Sequence, residues 1–207
     1  MTQPLGGIIL AAGLSSRMGR FKPLMEINGR SMISHVIRMM RDAGAGTIIV
    51  VTGFHADELE ACLSTENVEC VHNPDFAHTQ QLDSLRLGLA ALRGRCERML
   101  ISPADVPIVR PQTVRALLAI DGDFIRPVFN GEVGHPVVLS AALIPYLMTY
   151  DGPGGLRGAI EHSTYSLREL HVDDRGTVLD NDTPADIDRL LQWYRDDAAK
   201  QKEGTPK

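Results

Sequence analysis

The feature of this sequence that most limits its fold is an alternation between short apolar runs and amphipathic segments. Apolar runs of strand length occur at residues 7–12, 47–52 and 98–102, and segments with helical spacing of apolar residues, such as 31–43 and 84–92, separate them. A run that is apolar at every position is typical of a strand buried on both faces, as in a parallel sheet covered by helices. The alternation therefore predicts an α/β fold with a mainly parallel sheet.

The same criteria predict the remaining elements. Helices are predicted at 55–63, 111–119, 141–148, 156–161 and 184–194, and strands at 68–72, 124–129, 133–139 and 166–172. Asn130-Gly131 is typical of a tight hairpin turn between two of these strands. The sequence contains no internal repeat or low-complexity linker. We therefore expect one domain over residues 1–195, followed by a charged, flexible tail at 196–207.

Charge and hydropathy exclude several classes of protein. With 21 Lys and Arg against 26 Asp and Glu, the chain has a formal net charge of -5, whereas a general nucleic-acid-binding protein would carry a basic excess. The longest apolar stretch, residues 5–14, is well short of the roughly 20 residues that a membrane helix needs. We expect neither nucleic acid nor membrane as a partner.

Cysteine usage indicates a cellular compartment. Cys62, Cys70 and Cys96 are odd in number and lack C-x-x-C spacing, which fits neither a disulfide framework nor a zinc ribbon. The first four residues also lack the basic start of a secretory signal. These observations predict a cytoplasmic protein.

The segment after the first predicted strand, residues 10–22, is the most informative for function. It contains two glycines and gathers Arg17, Arg20 and Lys22 in a protein that is acidic overall. Backbone N–H groups and cationic side chains of such a loop can bind phosphate oxygens. The spacing fits neither a Walker A loop nor G-x-G-x-x-G, and a solvated basic loop is the alternative.

The full segment, LAAGLSSRMGRFK, resembles the signature L-A-A-G-x-S-x-R-M-G-x-x-K of the molybdenum-cofactor nucleotidyltransferases, the MobA/MocA-like group within the nucleotide-diphospho-sugar transferase superfamily. Every fixed position of that signature is filled. Further matches are P-A-D-V-P at 103–107, G-H-P at 134–136 and D-N-D-T-P-A-D at 180–186, so the resemblance extends over about residues 7–191. It implies a single Rossmann-like, three-layer αβα domain with a mainly parallel mixed sheet.

The resemblance also implies roles for individual residues. Arg17 and Lys22 are the implied catalytic cations, with Arg17 on the β and γ phosphates and Lys22 stabilising charge at the α-phosphate. His135 and Arg157 are implied to bind the acceptor, although a histidine beside proline is more often structural. The implied nucleotide-binding residues are Leu10, Ala11, Ala12, Gly13, Ser15, Arg17, Gly19, Lys22 and Ser84.

Two aspartates are the implied ligands of a Mg²⁺ cofactor. Asp105 follows a predicted buried strand and stands between two prolines, a suitable position for a hard-cation ligand. Asp182 precedes Thr-Pro at the predicted start of the last helix. Turn formation and helix capping are the alternative roles for these two side chains.

Two segments depart from the family pattern. After Asn73-Pro74, the sequence keeps Ser84-Leu85 but replaces a glycine-rich centre, so that Gln80-Gln81 stand in this region. At residues 151–157 the glycines and Arg157 are kept while the acidic residue is displaced.

The resemblance implies transfer of a nucleoside monophosphate from an NTP to a terminal phosphate, with release of pyrophosphate. In the family, Ala-Ala-Gly at positions equivalent to 11–13 accompanies CTP, so we expect CTP and molybdopterin as substrates and a molybdenum enzyme as a transient partner. Two alternatives stay open: a sugar-phosphate or alcohol-phosphate acceptor, and a nucleotide-binding accessory protein without turnover.

Overall fold

The computed structural model describes residues 4–13 and 21–178, together with six helical positions at 186, 189, 192, 193, 195 and 196. The strands are β1 (Leu5–Ala11), β2 (Glu26–Ile27), β3 (Arg30–Ser31), β4 (Ala45–Thr52), β5 (Glu69–His72), β6 (Arg98–Pro103), β7 (Phe124–Phe129), β8 (Glu132–Val133), β9 (Val137–Ser140) and β10 (Leu167–His171). The α-helices with described bounds are α1 (Met32–Asp42), α2 (Ala56–Leu63), α3 (Gln81–Leu92), α4 (Pro111–Ala119), α5 (Ile144–Thr149) and α6 (Gly155–Glu161).

Within the described residues the main sheet has the strand order β10-β7-β9-β6-β1-β4-β5, with β8 paired to β7. β1 pairs in parallel with both β4 and β6, β4 pairs in parallel with β5, and β7 pairs in parallel with β10. β9 runs antiparallel to both of its neighbours, β6 and β7. The predicted α/β fold with a mainly parallel mixed sheet is confirmed.

Helices cover both faces of the sheet. Ile8 and Ile9 are adjacent on β1, point to opposite faces and are both fully buried. Ile8 packs with Leu85 and Leu89 of α3, while Ile9 packs in a second core with residues of α1, α2 and α4. Full burial of one such side chain contributes roughly 1.5–3 kcal/mol. The uninterrupted apolar run in the sequence thus reflects a strand with a helical layer on each side.

Local capping explains where several helices begin. Ser31 accepts a hydrogen bond from the Ser34 backbone N–H (3.3 Å) at the start of α1, and Pro111 occupies the first turn of α4. α3 starts at Gln81, earlier than the predicted 84, because Gln80 and Asp83 form a reciprocal capping box. The helix therefore gains nearly one turn at its amino end.

The predicted strand 133–139 is wrong in its continuity. The structure has β8 and β9 instead, with Gly134-His135-Pro136 between them. Proline donates no ladder hydrogen bond, and the backbone at Gly134 turns to approach Thr177. The hairpin turn before β8 is confirmed, since Asn130 and Gly131 have φ values of 50° and 85°.

The short hairpin of β2 and β3, whose strands have two residues each, is not predicted by the apolar pattern of the sequence. Most of the predicted helix 184–194, and the predicted tail except Asp196, lie outside the described residues. No helix in the described part of the chain is long and apolar enough to cross a membrane.

Candidate active site

A cleft of about 370 Å³ opens at the carboxyl ends of β1 and β6. Its lining residues come from the end of β1, the turn after residue 21, the loop before α3, the first turn of α3 and the end of β6. They are Leu10, Ala11, Ala12, Gly13, Lys22, Pro23, Phe76, Thr79, Gln80, Gln81, Ser84, Pro103, Ala104 and Asp105. The structure therefore brings together all of the predicted nucleotide-binding residues that it describes. Ser15, Arg17 and Gly19 lie outside the described residues.

The parallel pairing of β1 and β6 forms the floor of this cleft. Leu10 is in register with Pro103, and the Ala104 N–H donates to the Leu10 carbonyl at 3.0 Å, one residue past the strand. This extra bond holds the start of the 104–107 loop against the end of β1. Asp105 is consequently placed beside the Ala11–Gly13 backbone.

Because Gly53 has no side chain, the backbone at Ala12 and the side chain of Phe76 can pack closely against it. A Cβ atom at Gly53 would lie 2.8 Å from the Ala12 carbonyl oxygen and 2.8 Å from the Phe76 Cβ. Any side chain at this position would push the cleft-lining residues Ala12 and Phe76 outward. The glycine is thus required by close approach rather than by backbone dihedral angles.

The two charged residues among the described lining of the cleft form an ion pair. Lys22 lies in a 3₁₀ turn with Pro23, its side chain is only 8% exposed, and its Nζ is 3.8 Å from Asp105 Oδ2. The Asp105 side chain is 31% exposed. A charge shielded from water interacts more strongly with other charges than an exposed one does. The pair therefore presents a cation and a carboxylate to anything bound at the floor.

The wall opposite Lys22 is held by a buried asparagine. Asn73 follows β5 directly and is 3% exposed. Its Nδ2 donates to the hydroxyl oxygens of Thr79 (2.9 Å) and Ser84 (3.0 Å), and its Oδ1 accepts from the Asp75 N–H (3.1 Å). One side chain thereby fixes the 73–80 loop to the first turn of α3.

Several residues of this wall have no predicted role in nucleotide binding. Phe76, Thr79, Gln80 and Gln81 line the cleft, but in the sequence they are noted only as part of a departure from the family pattern. Their position after the carboxyl end of β5 was the available signal, because parallel strands present their ligand sites at that edge.

His135 stands at the same edge of the sheet because β9 is antiparallel. Val137 is in register with Ile101 of β6, so His135, just before β9, lies toward the edge of the sheet where β6 ends, although it is not among the residues that line the described cleft. The His135 N–H donates to the Thr177 carbonyl at 2.8 Å, and a Cβ at Gly134 would lie 2.6 Å from that carbonyl oxygen. The backbone on both sides of the histidine is therefore clamped to the 175–178 turn.

The imidazole of His135 is in an unusual electrostatic environment. Its Nδ1 is buried and has no hydrogen-bond partner among the described residues. Burial lowers the pKa of His135 from 6.5 to about 4, because the charged form loses its hydration. The ring is consequently neutral at physiological pH.

Asp174 anchors the turn that clamps His135. The carboxylate is 1% exposed and accepts hydrogen bonds from the Arg110 N–H (2.9 Å), the Thr113 hydroxyl (2.6 Å) and the Gly176 N–H (3.1 Å). A buried carboxylate with several donors is well stabilised. Asp174 thus ties the 175–178 turn to the start of α4.

Arg157 lies on α6, outside the set of residues that line the described cleft. Its side chain is 81% exposed, and its Nε donates to Glu161 Oε1 at 2.8 Å on the same helix. The predicted contact of Arg157 with the acceptor stays a prediction.

The chemistry of Asp105 suits a small, hard divalent cation. Mg²⁺ is typically held by one or two carboxylates together with substrate phosphates and water. No group of three or more His, Cys, Asp or Glu side chains that could hold a metal occurs in the part of the chain that the structure describes, and Asp182 lies outside it. The donor set therefore fits a metal shared with a phosphorylated ligand rather than a closed, all-protein site.

Comparison with known proteins gives a consistent family. Molybdenum cofactor cytidylyltransferase from Escherichia coli K12 is 28% identical over 192 residues, which cover 90% of this chain and 95% of that protein. The crystal structure of Rv0371c from Mycobacterium tuberculosis H37Rv aligns with a TM-score of 0.80 at 28% identity, covering 93% of this chain and 100% of that one.

Two further structures are similar. The Rv0371c complex with manganese aligns with a TM-score of 0.73 at 26% identity, covering 92% of this chain and 99% of that one. A nucleotidyl transferase from Methanothermobacter aligns with a TM-score of 0.79 at 26% identity, covering 93% and 98%. The family model described as the MobA-like NTP transferase domain matches residues 7–170, well over half of the sequence. The resemblance inferred from the motifs is therefore confirmed, and the chain belongs to the family of MobA-like NTP transferase domains.

Proposed function

We propose that this protein transfers CMP from CTP to the terminal phosphate of molybdopterin and releases pyrophosphate. The observation that carries the proposal is the cleft at the ends of β1 and β6, where the Lys22 ammonium lies 3.8 Å from the Asp105 carboxylate beside the Ala11–Gly13 backbone. The Ala-Ala-Gly sequence and the 28% identity to a molybdenum cofactor cytidylyltransferase support CTP and molybdopterin over other substrates.

The reaction needs alignment more than acid–base chemistry. An oxygen of the acceptor phosphate is already anionic and attacks the α-phosphorus. A new P–O bond forms as the bond to the bridging oxygen breaks, and the electron pair leaves with pyrophosphate. Positioning the two phosphates in line and stabilising their combined negative charge accounts for most of the catalysis in such a transfer.

Lys22 is the described residue best placed to stabilise that charge. Its ammonium is shielded from water and faces the cleft, so a hydrogen bond to an α-phosphate oxygen would be stronger there than at the surface. The predicted role of Arg17 on the β and γ phosphates complements this contact. The backbone of Ala11, Ala12 and Gly13 forms the floor against which the nucleoside would lie.

Asp105, together with Asp182 from the sequence prediction, would hold Mg²⁺. When bound, the ion would supply positive charge that offsets the repulsion between the phosphate groups. The manganese complex of Rv0371c, a structure of 26% identity, supports a divalent cation in this family. Asp105 also limits the motion of Lys22 through their ion pair, so both side chains are held on the phosphate side of the cleft.

His135 is proposed to orient the acceptor. The neutral imidazole can donate from one ring nitrogen and accept at the other without adding a charge next to the attacking phosphate. Its clamped backbone keeps the ring at the carboxyl edge of the sheet, where the acceptor has to approach the α-phosphate. Arg157 is likewise predicted to bind the acceptor.

Pyrophosphate release measured with each of the four NTPs, Mg²⁺ and molybdopterin tests the proposal. We expect turnover with CTP, loss of turnover in Lys22→Met, and normal turnover in the control Arg38→Met, because Arg38 is an exposed residue paired with Asp42 on α1. Turnover with GTP alone would contradict the choice of base.

Parallel reactions distinguish the alternatives. Turnover with a sugar phosphate or methylerythritol phosphate, and none with molybdopterin, would show that the acceptor is one of those phosphates instead of molybdopterin. Binding of CTP and Mg²⁺ without pyrophosphate release from any acceptor would instead indicate a nucleotide-binding accessory protein.

A further inference from the structure

The hydrogen bonds around Asn73 determine whether the Ser84 hydroxyl donates or accepts a hydrogen bond toward the cleft. The Asp75 backbone N–H can only donate, so the Asn73 atom that accepts from it at 3.1 Å has to be the carbonyl Oδ1. The amide orientation is therefore fixed by the network, and Nδ2 faces the hydroxyl groups of Thr79 and Ser84.

An amide nitrogen has two hydrogens and no lone pair available for hydrogen bonding. Asn73 Nδ2 consequently donates one hydrogen to Thr79 Oγ1 and the other to Ser84 Oγ, and both hydroxyl groups act as acceptors toward it. Thr79 uses its own hydrogen to donate to the Asp75 carbonyl at 3.0 Å. The hydroxyl hydrogen of Thr79 is therefore already engaged within the loop.

Ser84 differs from Thr79 in this respect. Among the described residues, Ser84 Oγ has no hydrogen-bond partner other than the Asn73 amide. The Ser84 side chain is 7% exposed and lines the cleft, which is the remaining direction for its O–H. A buried hydroxyl that cannot donate within the protein is costly unless a bound molecule or water accepts its hydrogen.

From this geometry we infer that Asn73 is a positioning residue that makes the Ser84 hydroxyl a hydrogen-bond donor to the bound nucleotide. The inference rests on the proposed nucleotidyl transfer and adds a requirement to it. The nucleotide has to present an acceptor, such as a base carbonyl oxygen or an unprotonated ring nitrogen, where it meets the first turn of α3. A donor group at that position could reach only the second lone pair of Ser84 Oγ and would leave the hydroxyl hydrogen without an acceptor, which is disfavoured.

Asn73→Asp is the substitution that reverses the direction of the hydrogen bond between residue 73 and Ser84 with little change in side-chain shape. An aspartate still accepts from the Asp75 N–H, but its other oxygen would take the Ser84 hydrogen and leave a lone pair facing the cleft. The added negative charge also weakens nucleotide binding directly. The charge effect and the polarity effect are separated by repeating the substitution in a Ser84→Ala background, where only the charge effect survives.

The experiment measures dissociation constants for the four NTPs with Mg²⁺ by titration calorimetry, for the unaltered protein, Ser84→Ala, Asn73→Asp and the double variant. We expect Ser84→Ala to weaken binding of the preferred nucleotide about tenfold, the effect of one hydrogen bond. We expect the penalty of Asn73→Asp to be markedly smaller in the Ser84→Ala background. Equal penalties in both backgrounds would overturn the role of Asn73.

Ser84→Ala provides a test that does not depend on the folding of Asn73→Asp, since alanine is favoured in helices. Unchanged nucleotide affinity in Ser84→Ala would overturn the inference by itself. Failure of the unaltered protein to bind any NTP would overturn the proposed function together with it. Normal nucleotide binding by the unaltered protein with additive penalties would overturn this inference alone.

Discussion

The carbonyl oxygen of Leu10 accepts a hydrogen bond from the N–H of Ala104 at 3.0 Å, just beyond the parallel ladder of β1 and β6. This bond places the backbone of Ala11 to Gly13 next to Asp105. Lys22 then comes within 3.8 Å of Asp105 from a separate turn of the chain. The end of the cleft that we propose to bind phosphate therefore lies where two central strands of the sheet end.

Lys22→Met should reduce the rate of nucleotidyl transfer by about 10²–10³, as is typical when a preorganised charge-stabilising group is removed from a reacting centre. Methionine keeps much of the length and apolar character of the lysine stem, so the Tm should change little. Steady-state pyrophosphate release and a thermal melt check both expectations. A Lys22→Met variant with an unaltered kcat would contradict the placement of Lys22 at the α-phosphate.

Asp105→Asn should raise the Mg²⁺ concentration needed for half-maximal turnover at least tenfold, because a neutral amide is a weaker ligand for a hard cation than a carboxylate. Chelation of the metal with EDTA should abolish turnover of the unaltered protein. Asp121→Asn, an exposed residue before β7 at the other edge of the sheet, is the matched control. Identical Mg²⁺ titrations for Asp105→Asn and the unaltered protein would contradict the metal assignment.

The low pKa of His135 predicts a loss of stability in acid. Above pH 6.5 the imidazole is neutral in both the folded and the unfolded chain, so it contributes no pH dependence. As the pH falls from 6.5 to about 4, the unfolded chain takes up a proton that the folded chain excludes, which lowers the free energy of unfolding by up to about 3 kcal/mol.

Urea titrations at several pH values test this prediction. His135→Gln should lose less stability than the unaltered protein between pH 6.5 and 4, whereas His171→Gln, an exposed position on β10, should follow the unaltered protein. Parallel acid profiles for His135→Gln and the unaltered protein would show that this histidine is not held neutral by burial.

Asp174→Ala should destabilise the fold by about 3 kcal/mol, because it leaves the Arg110 N–H, the Thr113 hydroxyl and the Gly176 N–H without their acceptor in the interior. The adjacent exposed residue provides the control, since Asp173→Ala keeps the backbone carbonyl that accepts from Arg110. Denaturant unfolding measures the difference. We also expect a higher KM for the acceptor in Asp174→Ala, because the turn that clamps His135 loses its anchor.

The sequence predicted most of the fold because its central strands, β1, β4 and β6, are largely buried on both faces. The central runs at Ile8-Ile9 and at residues 48–51 are apolar at every position. In a chain with helices between such runs, this pattern is compatible with few folds other than a sheet covered on both faces. The antiparallel insertion of β9 was not predictable in the same way. Its apolar sequence is equally compatible with either direction, and tertiary pairing with β6 and β7 decides it.

The part of the candidate site that lies just after the ends of strands could be predicted from the sequence. Ala11, Lys22 and Asp105 were identified because a distinctive string and a strand-terminal carboxylate mark them in the sequence. Asn73 was noticed only as part of a motif, since its role depends on partners at positions 75, 79 and 84 that meet through loop geometry. Side-chain networks of this kind leave no periodic signal in a sequence.

The pairing of Leu10 with Pro103 has a consequence for how the cleft comes into being during folding. The two strands are far apart in the sequence, and the chain between them forms β4, β5 and α3. Such long-range pairing is slow compared with the formation of local helices. During refolding, helical circular dichroism should therefore recover earlier than nucleotide binding, and an amino-terminal fragment ending before β6 should bind CTP more weakly than the full chain, because it lacks Asp105 and the strand that pairs with Leu10.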